Sequence, residues 1–180
     1  MTIDRIVEEP VIKKPFYFRQ AKVPKDTNFM NVTHGELGDV YMDFGLYNPF
    51  NRMVMPIHSR LIMLPTFLRN LISSAEENVL LYEEKFGKLE RDTATEVDVD
   101  PDAEASVPGL VGKGEYTNFA YIAHNKEEFI VQCAVSAFGM NETFYHTTLR
   151  FSPGDFKMTT LKAYEHLQKH FPALVKAERR

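Results

Sequence analysis

The sequence predicts an α+β protein built from a duplicated β-β-β-α unit, mainly antiparallel sheet with two helices packed on one face. Two helical segments support this prediction, because each begins at a proline, Pro65 or Pro153, and each follows a strand-like segment. The residues before the two prolines also match one another in order. A three-stranded sheet covered by one helix is marginal alone, so two copies of the unit are expected to pack together.

The first helix is predicted over residues 65–87. Its apolar residues are three or four positions apart, which is typical of one buried stripe on an α-helix. Pro65 suits the first turn, where a backbone N–H has no partner. Gly87 suits the position after the end, where a left-handed backbone is favourable. The stripe consists of Leu68, Leu71, Ile72, Ala75, Val79, Tyr82 and Phe86.

The second helix is predicted to begin after Ser152 and to end before Pro172. Ser152 is a good N-cap residue, and Pro153 and Asp155 suit the first turn because an acidic side chain complements the helix dipole. Pro172 cannot continue a helix, so only a short tail is expected after it. The buried side is predicted to consist of Phe156, Thr160, Ala163, Leu167 and Phe171.

Strands and turns alternate before each helix. In the first unit we expect strands at 28–33, 40–46 and 52–63, the last one bent at Pro56, because their residues alternate or are rich in β-formers. Turn residues fill 34–39, and a loop is predicted at 47–51.

The second unit repeats this order with strands at 117–123, 129–138 and 143–151 and turns at 124–128 and 139–142. Several identities coincide between the two units, which predicts an internal duplication. The matched segments are Asn28-Phe29 with Asn118-Phe119, Val32-Thr33-His34 with Ile122-Ala123-His124, Val40-Tyr41-Met42 with Phe129-Ile130-Val131, His58-Ser59 with His146-Thr147, and Leu61 with Leu149.

Composition divides the chain into four parts. Residues 1–27 contain three prolines and no helical period, which predicts an N-terminal arm that covers a surface or adds an edge strand. The two units then span 28–89 and 115–180. Between them, 90–114 is predicted to be a flexible linker, because its first fifteen residues carry a net charge of −6 and it has little apolar surface to offset its conformational entropy.

Both units resemble a small family of prokaryotic and phage proteins that is known only as a domain of unknown function. The resemblance covers about 120 of the 180 residues. It implies a small α+β fold, and it brings no activity and no functional residue. The second unit departs from the pattern, since it has Gln132-Cys133-Ala134 in place of Asp-Phe-Gly and lacks the Phe-Gly helix ending. The residues that carry it are Tyr41–Gly45, Ser59–Met63 with Pro65, Tyr82–Gly87, Tyr116–Phe119, His124–Phe129 and Ser152-Pro153.

Charge and cysteine content indicate the compartment. The formal net charge is −4, which is too small to favour or exclude a nucleic-acid partner. Cys133 is the one cysteine, so no internal disulfide can form and a reducing compartment is expected, with Cys133 as a buried small hydrophobe. There is no run of 18 apolar residues. We therefore predict a cytoplasmic protein, or a virion-associated one if it is phage-encoded, with no membrane partner.

Four histidines occupy repeat-related positions. His34 and His124 fall in equivalent predicted turns, and His58 and His146 fall at equivalent strand positions. Together they could form a metal site between the two units. A turn and a strand centre need not converge, however, so hydrogen bonding within the fold is the favoured interpretation. No metal and no cofactor are predicted.

No catalytic residue is predicted either. Asp43-Phe44-Gly45 matches the kinase magnesium triplet, but the glycine-rich loop and catalytic-loop segment of kinases are absent from the sequence. A strand end explains this triplet better. The chain is therefore predicted not to be an enzyme.

The strand surface opposite the helices is the candidate interaction face. Its mixed polarity predicts burial by self-association or by another protein. The predicted function is accordingly a non-enzymatic, homo-oligomeric assembly or protein-interaction protein. The alternative is a single-stranded nucleic-acid-binding module, because aromatic strand residues beside Arg60 and Arg150 could stack bases. The candidate face consists of His58, Arg60, Ile62, Phe144, His146 and Arg150.

Overall fold

The structure is a computed structural model that describes residues 23–48, 50, 53–54, 57–89, 114–136 and 143–176. The predicted linker at 90–114, apart from Gly114, and most of the predicted arm at 1–27 lie outside the described residues. Within the described residues the fold is mixed α+β, as predicted, with two four-stranded sheets, one two-stranded sheet and three helices. None of these helices combines the length and apolar composition needed to cross a membrane.

The two main sheets are mostly antiparallel. The strands are β1 Lys25–Asp26, β2 Phe29–His34, β3 Val40–Gly45, β4 Tyr47–Asn48, β5 Met53–Val54, β6 Ser59–Met63, β7 Glu115–Tyr116, β8 Phe119–His124, β9 Phe129–Ser136 and β10 Thr143–Phe151. Sheet I has the strand order β2-β3-β6-β7, sheet II has the order β1-β10-β9-β8, and β4 pairs with β5. The helices are α1 Pro65–Phe86, α2 Pro153–His170 and α3 Pro172–Lys176.

The short strands β1 and β7 each cross to the other sheet. β1 pairs in parallel with β10, and the backbone N–H of Thr27 donates to the Arg150 carbonyl at 2.9 Å. β7 pairs in parallel with β6, and the N–H of Thr117 donates to the Ile62 carbonyl at 2.7 Å. β7 thus belongs to sheet I but leads along the chain into β8 of sheet II. In the same way, β1 belongs to sheet II but leads into β2 of sheet I. The end of the predicted arm does add an edge strand, at Lys25–Asp26.

Both helix predictions are confirmed at their ends. The backbone at Gly87 has a φ of 100°, and its N–H donates to the Glu83 carbonyl at 3.0 Å. The Ser152 side chain accepts a hydrogen bond from the Asp155 N–H at 3.2 Å. Within the described residues, Gly87 is one of two glycines with a positive φ, the other being Gly38 in the turn between β2 and β3.

Both sheets and both long helices contribute to one hydrophobic core. The rings of Phe44 in sheet I and Phe151 in sheet II lie 6.2 Å apart, and Phe129 stacks on Phe156 at 4.2 Å. The predicted helix stripes account for the helical part of the core, except that Leu71, Phe86 and Phe171 are only partly buried. The buried helical residues are Leu68, Ile72, Ala75, Val79, Tyr82, Phe156, Thr160, Ala163 and Leu167.

Several predicted elements are wrong. The single strand expected over 52–63 is two strands, β5 and β6, and β5 pairs with β4, where a loop was expected. Among the described strands β4 and β5 pair only with each other, so they form a separate two-stranded sheet. His34 and His124 are the last residues of β2 and β8 and do not lie in turns. The expected short tail contains α3, because Pro172 ends one helix and begins another.

Candidate functional site

His58 and His146 lie at the two points where the short strands cross between the sheets. His58 Nε2 lies 3.0 Å from the Asp26 carbonyl oxygen and 3.4 Å from Thr27 Oγ1, while its Nδ1 lies 3.1 Å from Ser59 Oγ. At the other point, His146 Nε2 lies 3.4 Å from Thr117 Oγ1, and its Nδ1 lies 3.1 Å from Thr147 Oγ1. Both imidazoles therefore bind the backbone or hydroxyl groups of the crossing strands.

The asparagines that follow the crossing strands also make matching contacts. The Asn28 side chain accepts from the Tyr47 N–H at 2.6 Å and donates to the Tyr47 carbonyl at 3.0 Å. The Asn118 side chain accepts from the Ser136 N–H at 2.7 Å and donates to the Ser136 carbonyl at 2.9 Å. Each amide thus fixes the end of a neighbouring strand by imitating a backbone pair.

Burial lowers the pKa of His58 below its ordinary 6.5, and the nearby Lys25 charge acts in the same direction. The hydrogen bond to the Asp26 carbonyl and the Asp26 charge oppose the shift. The unfolded chain therefore binds this proton at a higher pH than the folded chain does. Protonation favours unfolding, and the contribution of neutral His58 to stability is lost as the pH falls below 6.5.

We therefore expect His58→Gln to flatten the acid side of the stability profile. The free energy of unfolding of each protein is measured at about pH 7.5 and at about pH 5. Between these pH values the variant is expected to lose less of this free energy than the wild type does. Urea unfolding monitored by circular dichroism at the two pH values measures the difference. Parallel losses in the two proteins would contradict a partly buried imidazole that is neutral in the folded state.

Arg60 is held by a carboxylate on the neighbouring strand. Its Nε and Nη2 donate to the two Asp43 oxygens at 2.6 Å and 2.7 Å, which is a bidentate pair. Asp43 is buried and Arg60 is partly exposed, and the pair raises the pKa of Arg60. The guanidinium also lies 5.9 Å from the centre of the Tyr41 ring. Arg60 thus links β6 to β3 on the face of sheet I that points away from the core, and the Asp43 carboxylate balances its positive charge.

Arg150 has a similar arrangement on sheet II. Its Nε donates to the Asp26 carboxylate of β1, and Glu128 lies 3.9 Å away. This pairing lowers the pKa of Asp26 and raises that of Arg150. The ion pair joins β10 to the crossing strand β1. Both predicted arginines of the interaction face are therefore bound to carboxylates.

Ile62 lies beside Arg60 on the face of sheet I that points away from the core, because it alternates with the buried Leu61 and Met63. The chain just before β7 passes over it. A Cβ added at Gly114 would lie 2.7 Å from Ile62 Cγ1 and 2.8 Å from Arg60 Cγ. This approach fits glycine best, and it partly covers the predicted face.

A register shift in β10 separates Phe144 from Arg150. Tyr145 pairs with Ala134 and Thr147 pairs with Cys133, so His146 is an extra residue between them. One added residue reverses the alternation of side chains along β10. Phe144 therefore lies on the same face of sheet II as Cys133, and Arg150 lies on the opposite face. The six residues of the predicted face consequently do not form one continuous surface.

A groove lies between the edge strand β8 and α1. Its volume is about 280 Å³, and β8 is the last strand of sheet II in the part of the chain that the structure describes. Leu80 and Leu81, which are 66% and 50% exposed, follow the groove residues along α1. The groove is lined by Phe67, Asn70, Leu71, Ser74, Glu77, Asn78, Ala120, Tyr121 and Ile122.

Three histidines that the sequence analysis did not combine lie together at the end of β2. They are His34, His166 and His170, and one ring nitrogen from each lies within 4.8 Å of those from the other two. The predicted set of four histidines does not converge in this way. His124 instead packs against Tyr82 and Phe129, with ring centres 5.8 Å and 5.1 Å apart. The i, i+4 spacing of His166 and His170 was the available signal, since it places two imidazoles on one helix face.

No protein-family model matches this sequence, and no curated protein shows significant similarity to it. The resemblance to a bacterial and phage family therefore stays a prediction.

Proposed function

We propose that this chain is a non-enzymatic assembly protein that forms a twofold dimer through β8 and the adjoining surface of α1. The observation that carries the proposal is the edge strand β8, which lies beside the groove and near the exposed leucines of α1. Its sequence, Phe-Ala-Tyr-Ile-Ala-His, contains no proline, lysine or arginine. Natural edge strands are usually protected from pairing by such residues, by bulges or by covering segments. The bacterial or phage setting implied by the resemblance is part of the same proposal.

Internal duplication belongs to this proposal as well. The reciprocal crossing of β1 and β7 and the matched hydrogen bonds of Thr27 with His58 and of Thr117 with His146 support it. Two copies of one β-β-β-α unit that exchange their first short strands account for both sets of contacts. The chain is then a fused pseudo-dimer, and pairing through β8 joins two such chains.

A twofold axis suits this edge. When a strand pairs with its own copy across a twofold axis, the two strands run antiparallel, which is the more common and slightly more stable arrangement. Sheet II of one chain then continues into sheet II of the other. The groove would be filled by the partner chain, with Phe67 and Leu71 as its apolar floor and Asn70 and Asn78 as its polar rim.

The exposed leucines of α1 extend the same surface. Leu81 lies three residues after Asn78, so it projects from the groove side of the helix, and Leu80 is adjacent to it. Apolar side chains of this size, next to a strand edge that no described residue pairs with, favour burial by a protein partner. Self-association buries them without requiring a second protein.

Single-stranded nucleic-acid binding is less well supported. Arg60 and Arg150 are bound to Asp43 and Asp26, so binding a phosphate would require breaking an existing ion pair. Salt-dependent affinity for nucleic acid rests on cations that are available to phosphates.

Ala123→Lys is expected to convert the dimer into a monomer. The substitution places a lysine on β8, and a charged lysine is one of the features by which natural edge strands resist pairing with another chain. Size-exclusion chromatography with light scattering measures the mass. We expect wild-type protein near twice 20.8 kDa in low and high salt, and the variant near 20.8 kDa.

Thr33→Lys is the matched control, because Thr33 stands at the equivalent position of the other edge strand, β2. It is expected to leave the dimer intact. A wild-type monomer, or a dimer that Ala123→Lys does not weaken, would overturn the proposal. Co-elution of nucleic acid that high salt removes, detected by absorbance at two ultraviolet wavelengths, would favour the alternative.

A further inference from the structure

The cluster of His34, His166 and His170 has the geometry of an open metal site. The ring centres of His34 and His170 lie 4.5 Å apart, those of His166 and His170 lie 4.5 Å apart, and those of His34 and His166 lie 5.6 Å apart. Nitrogens bound to one tetrahedral Zn²⁺ at about 2.0–2.1 Å are separated by about 3.4 Å. The ring nitrogens of this cluster lie up to 4.8 Å apart, so binding one ion requires the imidazoles to approach one another by about 1.4 Å.

The fold supplies the three ligands from two elements. His166 and His170 are one helical turn apart on α2, so their imidazoles project from the same face. His34 is the last residue of β2 and reaches the same place from sheet I. Two of the three, His34 and His170, are exposed, so a cation can enter from solvent.

His166 adds an independent indication. Its Nε2 atom is buried and has no hydrogen-bond partner among the described residues. A buried polar atom without a partner is unfavourable, and most such atoms in proteins are satisfied by protein, water or an ion. A cation between the three rings would satisfy it.

Electrostatics are consistent with a ligand set. Burial lowers the pKa of His166 from 6.5 to about 4, and the charges of His170, His34 and Lys169 contribute to the shift. Partial desolvation by the neighbouring rings also lowers the pKa of the exposed His170, with contributions from the charges of His34 and Lys169. A lowered pKa favours the neutral imidazole, which is the form that binds metal.

The repeat-related place in the fold, where His124 of β8 meets α1, has a different set of residues. Pro153 lies 88 residues after Pro65, and the same separation relates His166 to Asn78 and His170 to Tyr82. There, His124 packs on the Tyr82 ring, and the Tyr82 hydroxyl donates to the Lys126 carbonyl at 2.7 Å. The place around His124 thus has a single imidazole packed among aromatic rings, whereas the cluster at the end of β2 has three imidazoles. The contrast provides a control within the same molecule.

We propose that His34, His166 and His170 bind one Zn²⁺ or a chemically similar divalent cation, with a fourth position left for water or for a ligand from a partner. Three imidazoles without a carboxylate suit zinc, cobalt, nickel and copper and do not suit Mg²⁺ or Ca²⁺. Three protein ligands with one open position is the arrangement of accessible zinc sites. The cation joins the end of β2 in sheet I to α2.

Zinc titration of the untagged full-length chain tests the proposal. Isothermal titration calorimetry with ZnCl₂ is expected to give one ion per chain in the wild type. His170→Gln and His34→Gln should each weaken binding at least about tenfold, since losing even an outer-shell partner of a ligand typically weakens metal binding about 10–100-fold. Both residues are exposed, so neither substitution is expected to unfold the protein.

His124→Gln is the matched control and should leave the affinity unchanged. Two further readouts separate this site from loose surface binding. Co²⁺ should produce visible absorption typical of low coordination number, and zinc should raise the melting temperature, because a ligand that binds only the folded state stabilises it. His170→Gln should abolish both effects. Absence of stoichiometric binding, or binding that all three variants retain, would overturn the proposal.

Discussion

Phe129→Ala is expected to lower the free energy of unfolding by about 3–5 kcal/mol, the range for truncating a fully buried phenylalanine. Phe129 has no solvent-exposed surface. Its ring stacks on Phe156 at 4.2 Å and lies 5.3 Å from the Tyr82 ring, so it joins sheet II to both long helices. Alanine removes these contacts and leaves a cavity that three separate elements would have to move to fill.

Urea unfolding of the variant beside wild-type protein measures this loss. Phe144→Ala is the control, because it makes the same chemical change on another strand of the same sheet where the side chain is 56% exposed. We expect the control to change stability by no more than about 0.5 kcal/mol. Similar small losses in both variants would show that the core is not organised around Phe129.

The helices could be predicted from the sequence because their signals are local. Pro65 and Gly87 mark the two ends of α1, and Ser152 with Pro153 and Asp155 marks the beginning of α2. The buried positions repeat at the helical period, so the core side of each helix was predictable as well. Leu68 and Phe156, the first buried residue of each helix, were both in the predicted stripes.

The crossing strands could not be predicted in the same way. β1 and β7 are two residues long, and a periodicity of two cannot be recognised in two residues. Their partners lie in the other half of the chain, as in the pairing of Lys25 with Leu149. Pairing over such a sequence distance depends on the packed sheets and not on local preference.

The candidate sites show the same division between local and tertiary information. Arg60 and Ile62 were correctly expected on the face opposite the buried Leu61, because β6 alternates regularly. The extra residue at His146 reversed the alternation in β10, and nothing in the strand sequence indicates a bulge there. The histidine cluster was missed because His34 approaches His166 and His170 only after β2 packs beside α2.

Cys133 is expected to react with a thiol reagent at least about a thousand times more slowly in the folded protein than in the unfolded chain. It lies in the core row of β9 with no exposed surface, as the sequence analysis predicted for a buried small hydrophobe. Burial raises the pKa of its thiol from 9.0 to about 12. The thiolate is the reactive form, so the raised pKa lowers its population, and enclosure in the core adds steric protection. A domain that is stable by about 5 kcal/mol or more exposes its core in fewer than about one molecule in a thousand, which sets the expected ratio.

Labelling of Cys133 must therefore proceed through opening of the core. When opening and closing are faster than labelling, the rate follows the population of the open state and so reports its free energy. Phe129→Ala should then accelerate labelling by about 100-fold or more, because 1.36 kcal/mol corresponds to a factor of ten. Phe144→Ala should leave the rate close to that of the wild type. Native labelling as fast as that of a free cysteine would show that reagents reach Cys133 without opening, and that the two sheets and two helices do not enclose it.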